Sequence, residues 1–556
     1  MRIWKYIVAL ILLACAQSLS HAQSSELKRK TLEMIAHKDY NPTFSAIAAQ
    51  LTIGTDDAKA YKQLDAMLDR EYGDMFWMYG CAGLYFSCKD ILPDSYREKI
   101  RECWKKFTPY RGDTENHFLM YYGSLFLMSE EWDSLDASEW FMGRSSQEIR
   151  FESKEWLEHW IDETVKSGQT EFDSPRYLYY YITPLILLAE YSRDTLIKKK
   201  TSMMLEWMLA SYASKYMNGS YVGAHSRESN ESALMPISGE AISYGEYFFE
   251  DSVRHILPDV AFAAMSSFEI PKVIRDITQA KKVPIECTEI VRSRRRIRFE
   301  KPPIKKIKKY TYLTNSYALG SVEGGIVQPI QQRTWSLVLN SSQKNNAIIG
   351  LHPYFSAQEL GTFFPEEPAF MLEKIEGVKQ GYVSEDKWVG ASPYETIWQR
   401  RNELRCSYNI PQDAPHRHVD LFFPDWGNIV DCDSTIWRQL TINYDSVRIT
   451  LNTKTDFSLT HAPGGYRVRL RLQHNKTSYW LSVINKNDSR IINSDANMFS
   501  GKDVYQDQEF DNWLIHSPFV ESKYGSGILK IHCGAYERIL DFVKATTEDR
   551  FIESGH

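Results

Sequence analysis

The chain has 556 residues, 43% of them hydrophobic and 25% charged, a globular composition with room for two or three packed domains. A formal net charge of -6 and a pI near 6.2 exclude a general affinity for nucleic acid. Any polyanion it handles must be gripped locally.

Residues 1–22 read as a secretory signal. Arg2 and Lys5 form a basic end, Ile7 to Ala14 an apolar core too short to span a bilayer, and Ser20-His21-Ala22 a small-x-small cleavage site. The expectation is an exported, periplasmic or secreted protein whose mature chain begins at Gln23. Leu12-Leu13-Ala14-Cys15 also resembles a lipoprotein box, so anchoring at Cys15 is the alternative. No other segment approaches the length of a membrane span. The cysteines beyond Cys15 are scattered, odd in number and without a CxxC pair, so they read as small buried apolar residues.

From Glu26 to Ala280 the apolar residues recur at helical spacing, as in AYKQLDAMLDREYGDMFWMYGCAGLYF and LIKKKTSMMLEWMLASYASKY. Short joints carry Asp, Pro and Gly, and no strand-like interruption is apparent. Paired helices without a fixed-period repeat predict an α/α toroid over residues 23–281.

Three stretches in this half carry chemistry. In GDTENHFLMYYGSLFLMSE, Asp113 or Thr114 caps a helix. Asn116 and His117 then fall in its first turn, where free N–H groups and the dipole favour an anion. His117, Tyr121 and Ser124 follow on one side, and Glu115 puts a carboxylate beside them; simple cap satisfaction would look the same. In EFDSPRYLYYYITPLILLAEYS, Asp173-Ser174-Pro175 reads as a helix start with Tyr177 in the first turn. The polar glycine loop NGSYVGAHSRESNES offers His225 and Arg227.

Residues 282–309 are strongly basic with two prolines, the pattern of a linker or solvated crossover. From Tyr310 to 556 the period changes to two, in TWSLVLN, YRVRLRLQ and GILKIHC, which predicts antiparallel β-sheets packed as a sandwich. The fold class is therefore multidomain α+β, an N-terminal α/α toroid followed by a C-terminal antiparallel β-sandwich. Within HRHVDLFFPD, alternation sets His416, His418 and Asp420 on one strand face, a set able to hold a divalent metal or merely a polar face. Arg400, in WQRRN, is a further residue that would suit an acidic ligand.

Glu115-Asn116-His117 and SPRYLYYYITPLILLAEY resemble motifs of secreted bacterial polysaccharide lyases of the heparinase II/III and alginate lyase type, which join an α/α toroid to antiparallel sheets. Those enzymes carry Asn-Asn-His at a helix start, so Glu115 is a departure. The resemblance implies β-elimination from a uronic-acid glycan, with Asn116 in the amide role, His117 as base and Tyr177 or a neighbour as acid or base. Arg227 would neutralise the sugar carboxylate, and His225 is a second base candidate. Glu115, Tyr121, Asp173 and Arg400 are expected around the substrate, an acidic oligosaccharide or polysaccharide. That chemistry requires no cofactor. Hydrolysis by paired carboxylates chosen from Asp113, Glu115, Asp173, Glu228 and Glu231 is the alternative. Noncatalytic glycan binding is a second alternative.

Overall fold

In the computed structural model, which describes residues 24–552 apart from 71, 107, 141–142, 281–283, 294–304, 328–330, 357–382, 434–437, 463–466 and 487–509, helices lead and sheets follow. The expected signal segment with Cys15 lies outside the described residues. The helices are α1 (24–37), α2 (Phe44–Ile53), α3 (Asp57–Leu68), α4 (Met75–Cys88), α5 (Asp94–Lys106), α6 (Glu115–Glu131) and α7 (Ser146–Ser167). Then come α8 (Tyr179–Tyr191), α9 (Thr195–Ser214), α10 (Asn230–Leu234), α11 (Ile242–Phe249), α12 (Val260–Met265) and α13 (Lys272–Gln279).

Helices α2, α4, α6 and α8 touch in succession, and α12 touches both α8 and α2, so the inner ring closes on itself. Outer helices back it, α3 on α2, α5 on α4, α7 on α6 and α9 on α8. The sequence explains the two roles. Inner α6 is buried at almost every position, whereas outer α5 buries only Ile100 and Trp104, the difference between a helix apolar all round and an amphipathic one. Two short sheets interrupt the helices where periodicity gave no warning. Tyr72–Asp74 pairs in parallel with Thr108–Tyr110, and Tyr216–Met217 pairs with Ser220–Tyr221.

Among the described residues, antiparallel strands then form one thirteen-stranded and one six-stranded sheet. Their facing side chains share a core that includes Trp335, Leu337, Leu404, Leu451 and Tyr479, and Trp335 Nε1 donates across it to the Tyr479 hydroxyl at 2.9 Å. The larger sheet turns its other face to the toroid, where Val291, Ile307 and Val322 meet Phe172 and Ala224. Strand Tyr317–Val322 is accordingly buried at every residue, as a middle layer must be. The sheet begins inside the expected linker. Ile285–Arg292 and Lys306–Leu313 pair along their whole length; Ile307 points from one face into the core shared with the toroid and Tyr310 from the other into the core between the sheets, while Lys309 is buried on the Ile307 face.

A ring of four buried charges pins toroid to sheet. Lys215 meets Asp173 at 2.7 Å and Glu289 at 2.6 Å; Lys309 pairs with Glu289 at 2.5 Å and also with Asp173. Burial alone would raise the Asp173 carboxyl, but Lys215 and Lys309 outweigh it and hold it well below the usual carboxylate range.

Candidate active site

Thr114 is the cap of α6; its hydroxyl accepts from His117 N, and the helix begins at Glu115. This sets Glu115, Asn116 and His117 in the first turn, but facing three ways. Glu115 turns inward and accepts from Trp160 Nε1 at 3.0 Å, Thr170 N at 3.1 Å, Glu171 N at 2.9 Å and Tyr181 Oη at 3.1 Å. It is a saturated carboxylate that organises the 168–171 loop, not a group aimed at substrate. Asn116 is completely buried and gives its amide nitrogen to Glu171 at 2.5 Å and Thr114 Oγ1 at 3.0 Å. His117 is half-buried, edge-on to Phe76 with ring centres 5.5 Å apart.

The second stretch turns before it becomes a helix. Asp173 has φ 45°, the Ser174 hydroxyl accepts from Tyr177 N at 2.8 Å, and α8 starts at Tyr179. Tyr177 therefore lies in the turn ahead of the helix rather than inside it. The third stretch is sewn between toroid and sheet. Ser226 N donates to Phe172 O at 3.0 Å, while His225 and Arg333 exchange both main-chain hydrogen bonds at 3.1 and 2.9 Å. Between those anchors Arg227 is held at φ 49°, a left-handed conformation that persists because its neighbours are fixed.

These pieces converge on Glu171. Its Oε2 accepts from Asn116 N and Nδ2 and from Tyr181 Oη, and its Oε1 stands 3.2 Å from Arg227 Nε. Arg227 lies over the Tyr177 ring at 4.4 Å. Tyr177 touches Tyr180 at 6.1 Å, and Tyr180 touches Phe76 at 4.9 Å, which returns the chain of contacts to His117. Asn116, His117, Tyr177 and Arg227 thus lie in one cluster. The hydroxyls of Tyr177 and Tyr180 make no hydrogen bond among the described residues, unlike that of Tyr181. Arg176, half exposed, lies 5.7 Å from the centre of the Tyr177 ring with its Nε 3.3 Å from Glu240, whose carboxyl is raised by burial and only partly offset by Arg176.

His225 is fully buried, its Nδ1 donating to Asp173 O at 2.6 Å, which leaves Nε2 as the lone-pair nitrogen. Burial, then Arg333, pushes its pKa down to about 3. Asp173 is consumed by the four-charge ring. Tyr121 is buried against Tyr122, one helical turn deeper than His117. Arg400 is exposed on strand Glu395–Arg400 of the smaller sheet, and among the described residues no contact brings it to the toroid cluster. Of the five carboxylates considered for hydrolysis only Glu231 is exposed, and Glu228 is paired with Arg333 at 3.0 Å in full burial. Sequence reading missed Glu171, Arg176, Tyr180 and Glu240; the first three lie within the quoted stretch, but nothing in their spacing distinguishes them from packing residues.

The metal set also changes. Asp420 is gripped by Arg471 through two bonds of 2.8 Å, and His416 and His418 both precede the strand Val419–Pro424, which carries only Asp420 of the three. The group whose donor atoms lie within 4.8 Å of one another is Glu385, His416 and His418.

No protein-family model and no curated protein matches the chain. Solved structures similar to it include a chondroitinase AC lyase studied in oligosaccharide complexes, at TM-score 0.30 and 10% identity over 96% of this chain and 98% of that one. Another is the Streptomyces coelicolor A3 chondroitin AC lyase in complex with chondroitin sulphate, at TM-score 0.33 and 8% identity over 93% of this chain and 88% of that one.

Proposed function

We propose that the chain is a polysaccharide lyase that cleaves a uronic-acid glycan by β-elimination. One observation carries this reading: a half-buried imidazole, two phenols that make no hydrogen bond among the described residues and the Arg227 guanidinium form one line of contacts, from His117 through Phe76, Tyr180 and Tyr177, at the start of α6 and the turn before α8. His117 takes the proton from C5 of the uronate. The C–H electrons form the C4=C5 double bond as the C4–O4 bond breaks, and a tyrosine, Tyr177 or Tyr180, protonates the departing O4. Charge developing on the carboxylate needs a cation. Arg176 is the half-exposed guanidinium beside Tyr177, and its fork suits a carboxylate.

Asn116 and Arg227 act through Glu171 in this reading. Their polar groups are already engaged, so they set the turn and the Tyr177 ring in place. His225 holds the loop through Asp173 and is too buried to meet a polymer. The elimination itself uses no metal.

Hydrolysis is the second reading, favoured by Glu240, whose carboxyl is raised by burial, the direction a general acid needs. The two separate in one assay against a panel of uronic-acid glycans. Elimination produces the ultraviolet absorbance of an unsaturated uronate, lost in His117→Ala and kept in Glu240→Gln. Reducing ends without absorbance, lost in Glu240→Gln, would instead establish hydrolysis.

A further inference from the structure

At the far end of the large sheet, Glu385, His416 and His418 bring a carboxylate and two imidazoles within 4.8 Å. His416 Nδ1 is 3.7 Å from Glu385 Oε2, and the two imidazole rings lie 5.8 Å apart. The His418 side chain is only 10% exposed, and its Nε2 makes no hydrogen bond among the described residues; Asp420 Oδ2 stays 3.7 Å away. A buried ring nitrogen left in this way bears its full desolvation cost, and here it faces other metal-type donors.

The surroundings are built rather than accidental. His352 places Nε2 2.9 Å from His416 O and Nδ1 3.0 Å from Ser392 Oγ, so one ring ties the segment of His416 to the loop that follows Glu385. Arg471 fixes Asp420, and Arg469 pairs with Asp386.

We propose that Glu385, His416 and His418 bind one divalent transition cation, zinc foremost, and that the ion steadies the loop carrying His225 and Arg227. Two imidazoles and one carboxylate form a zinc donor set with a fourth position for water, whereas calcium and magnesium take oxygen donors. Tetrahedral ligands at about 2.0–2.1 Å stand roughly 3.3 Å apart, so the donors close in by about an ångström. Glu385, with 49% of its side chain exposed, has the freedom to do so.

The path to the loop is short. Gly390, just beyond Glu385 along the chain, donates its N–H to Gln332 O at 2.8 Å and bridges to Arg333. Arg333 exchanges main-chain bonds with His225, and Glu228 N donates to Gln331 O at 2.7 Å. Fixing Glu385 therefore fixes one side of the strand that holds residues 225–228. The functional meaning of that coupling rests on the lyase reading; the binding does not.

The test uses the mature chain stripped by a chelator and titrated with zinc, with metal content measured by mass spectrometry and hydrogen exchange followed across 223–232. One zinc per chain is expected, weakened about 10-fold or more in Glu385→Ala and in His416→Ala. Zinc should slow exchange across 223–232 in the parent and not in Glu385→Ala. Failure to bind zinc stoichiometrically, or equal affinity in both variants, overturns the site; stoichiometric binding with unchanged exchange overturns the coupling. Absence of glycan cleavage would sink the lyase reading and leave both results standing.

Discussion

Lys309→Met should loosen the seam between toroid and sheet more than any surface change. Lys309 is completely buried and serves two carboxylates, Asp173 and Glu289, while Lys215 serves the same two from the other side. Its removal turns a neutral ring into one with an uncompensated negative charge out of contact with water. Breaking a buried pair in this way costs about 3–5 kcal/mol. Adding Asp173→Asn restores neutrality, so the double variant should recover part of that loss, with a coupling of at least ~1 kcal/mol. Urea unfolding followed by tryptophan fluorescence reads both quantities, compared as midpoints because a chain of this size need not unfold in one step. A Lys309→Met midpoint within ~0.5 kcal/mol of the parent, or strict additivity in the cycle, would refute the role given to the ring.

Tyr180→Phe and Tyr177→Phe separate the two free phenols: the one that protonates the leaving oxygen should lose about 100-fold or more in kcat, the other far less, and equal small losses would remove tyrosine from the mechanism. Arg333→Met leaves Glu228 buried and unpaired, at ~3 kcal/mol or more, and Glu228→Gln on top of it should restore much of the unfolding midpoint. His225 and His352 have pKa values pushed down to about 3 and about 4 by burial, so the unfolded chain takes up their protons first. Their stabilisation is complete above the unfolded value near 6.5 and drains away as pH falls toward the folded values, by up to ~1.4 kcal/mol per pH unit for each ring. Urea midpoints measured between pH about 7 and about 5 should fall, less steeply in His225→Gln; a flat profile contradicts the burial argument.

Much of the architecture was legible because burial writes itself into periodicity. The run FLMYYGSLFLMS is apolar on every side, which suits an inner toroid helix, and the change to period two marks the sheets. The boundary near 285 was hidden because Lys306, Lys308 and Lys309 read as a charged run, although Lys309 is buried against Asp173 and Glu289 and the residues beside it, Ile307 and Tyr310, point into two different cores. At the site, the cap of α6 and the grouping of Asn116, His117, Tyr177 and Arg227 follow from local pattern. What each side chain faces does not: Glu115 and Glu171 are both acids beside a helix start, and only the fold shows one saturated by Trp160 and Tyr181 and the other collecting Asn116 and Arg227. Likewise His416 and His418 were visible as a pair, but Glu385 joins them from a distant loop, and Arg471 removes Asp420 from the set.

Cleavage in water enriched in heavy oxygen distinguishes elimination from hydrolysis at the bond itself. With His117 taking the C5 proton and a tyrosine returning one to O4, neither new chain end acquires an oxygen from solvent, and mass spectrometry of the products should show only the original oxygens at the cleaved linkage. One heavy oxygen at a new reducing end, in excess of the exchange shown by an authentic oligosaccharide incubated alongside without enzyme, would mean that water attacked the anomeric carbon, and the site would belong to a hydrolase built around Glu240.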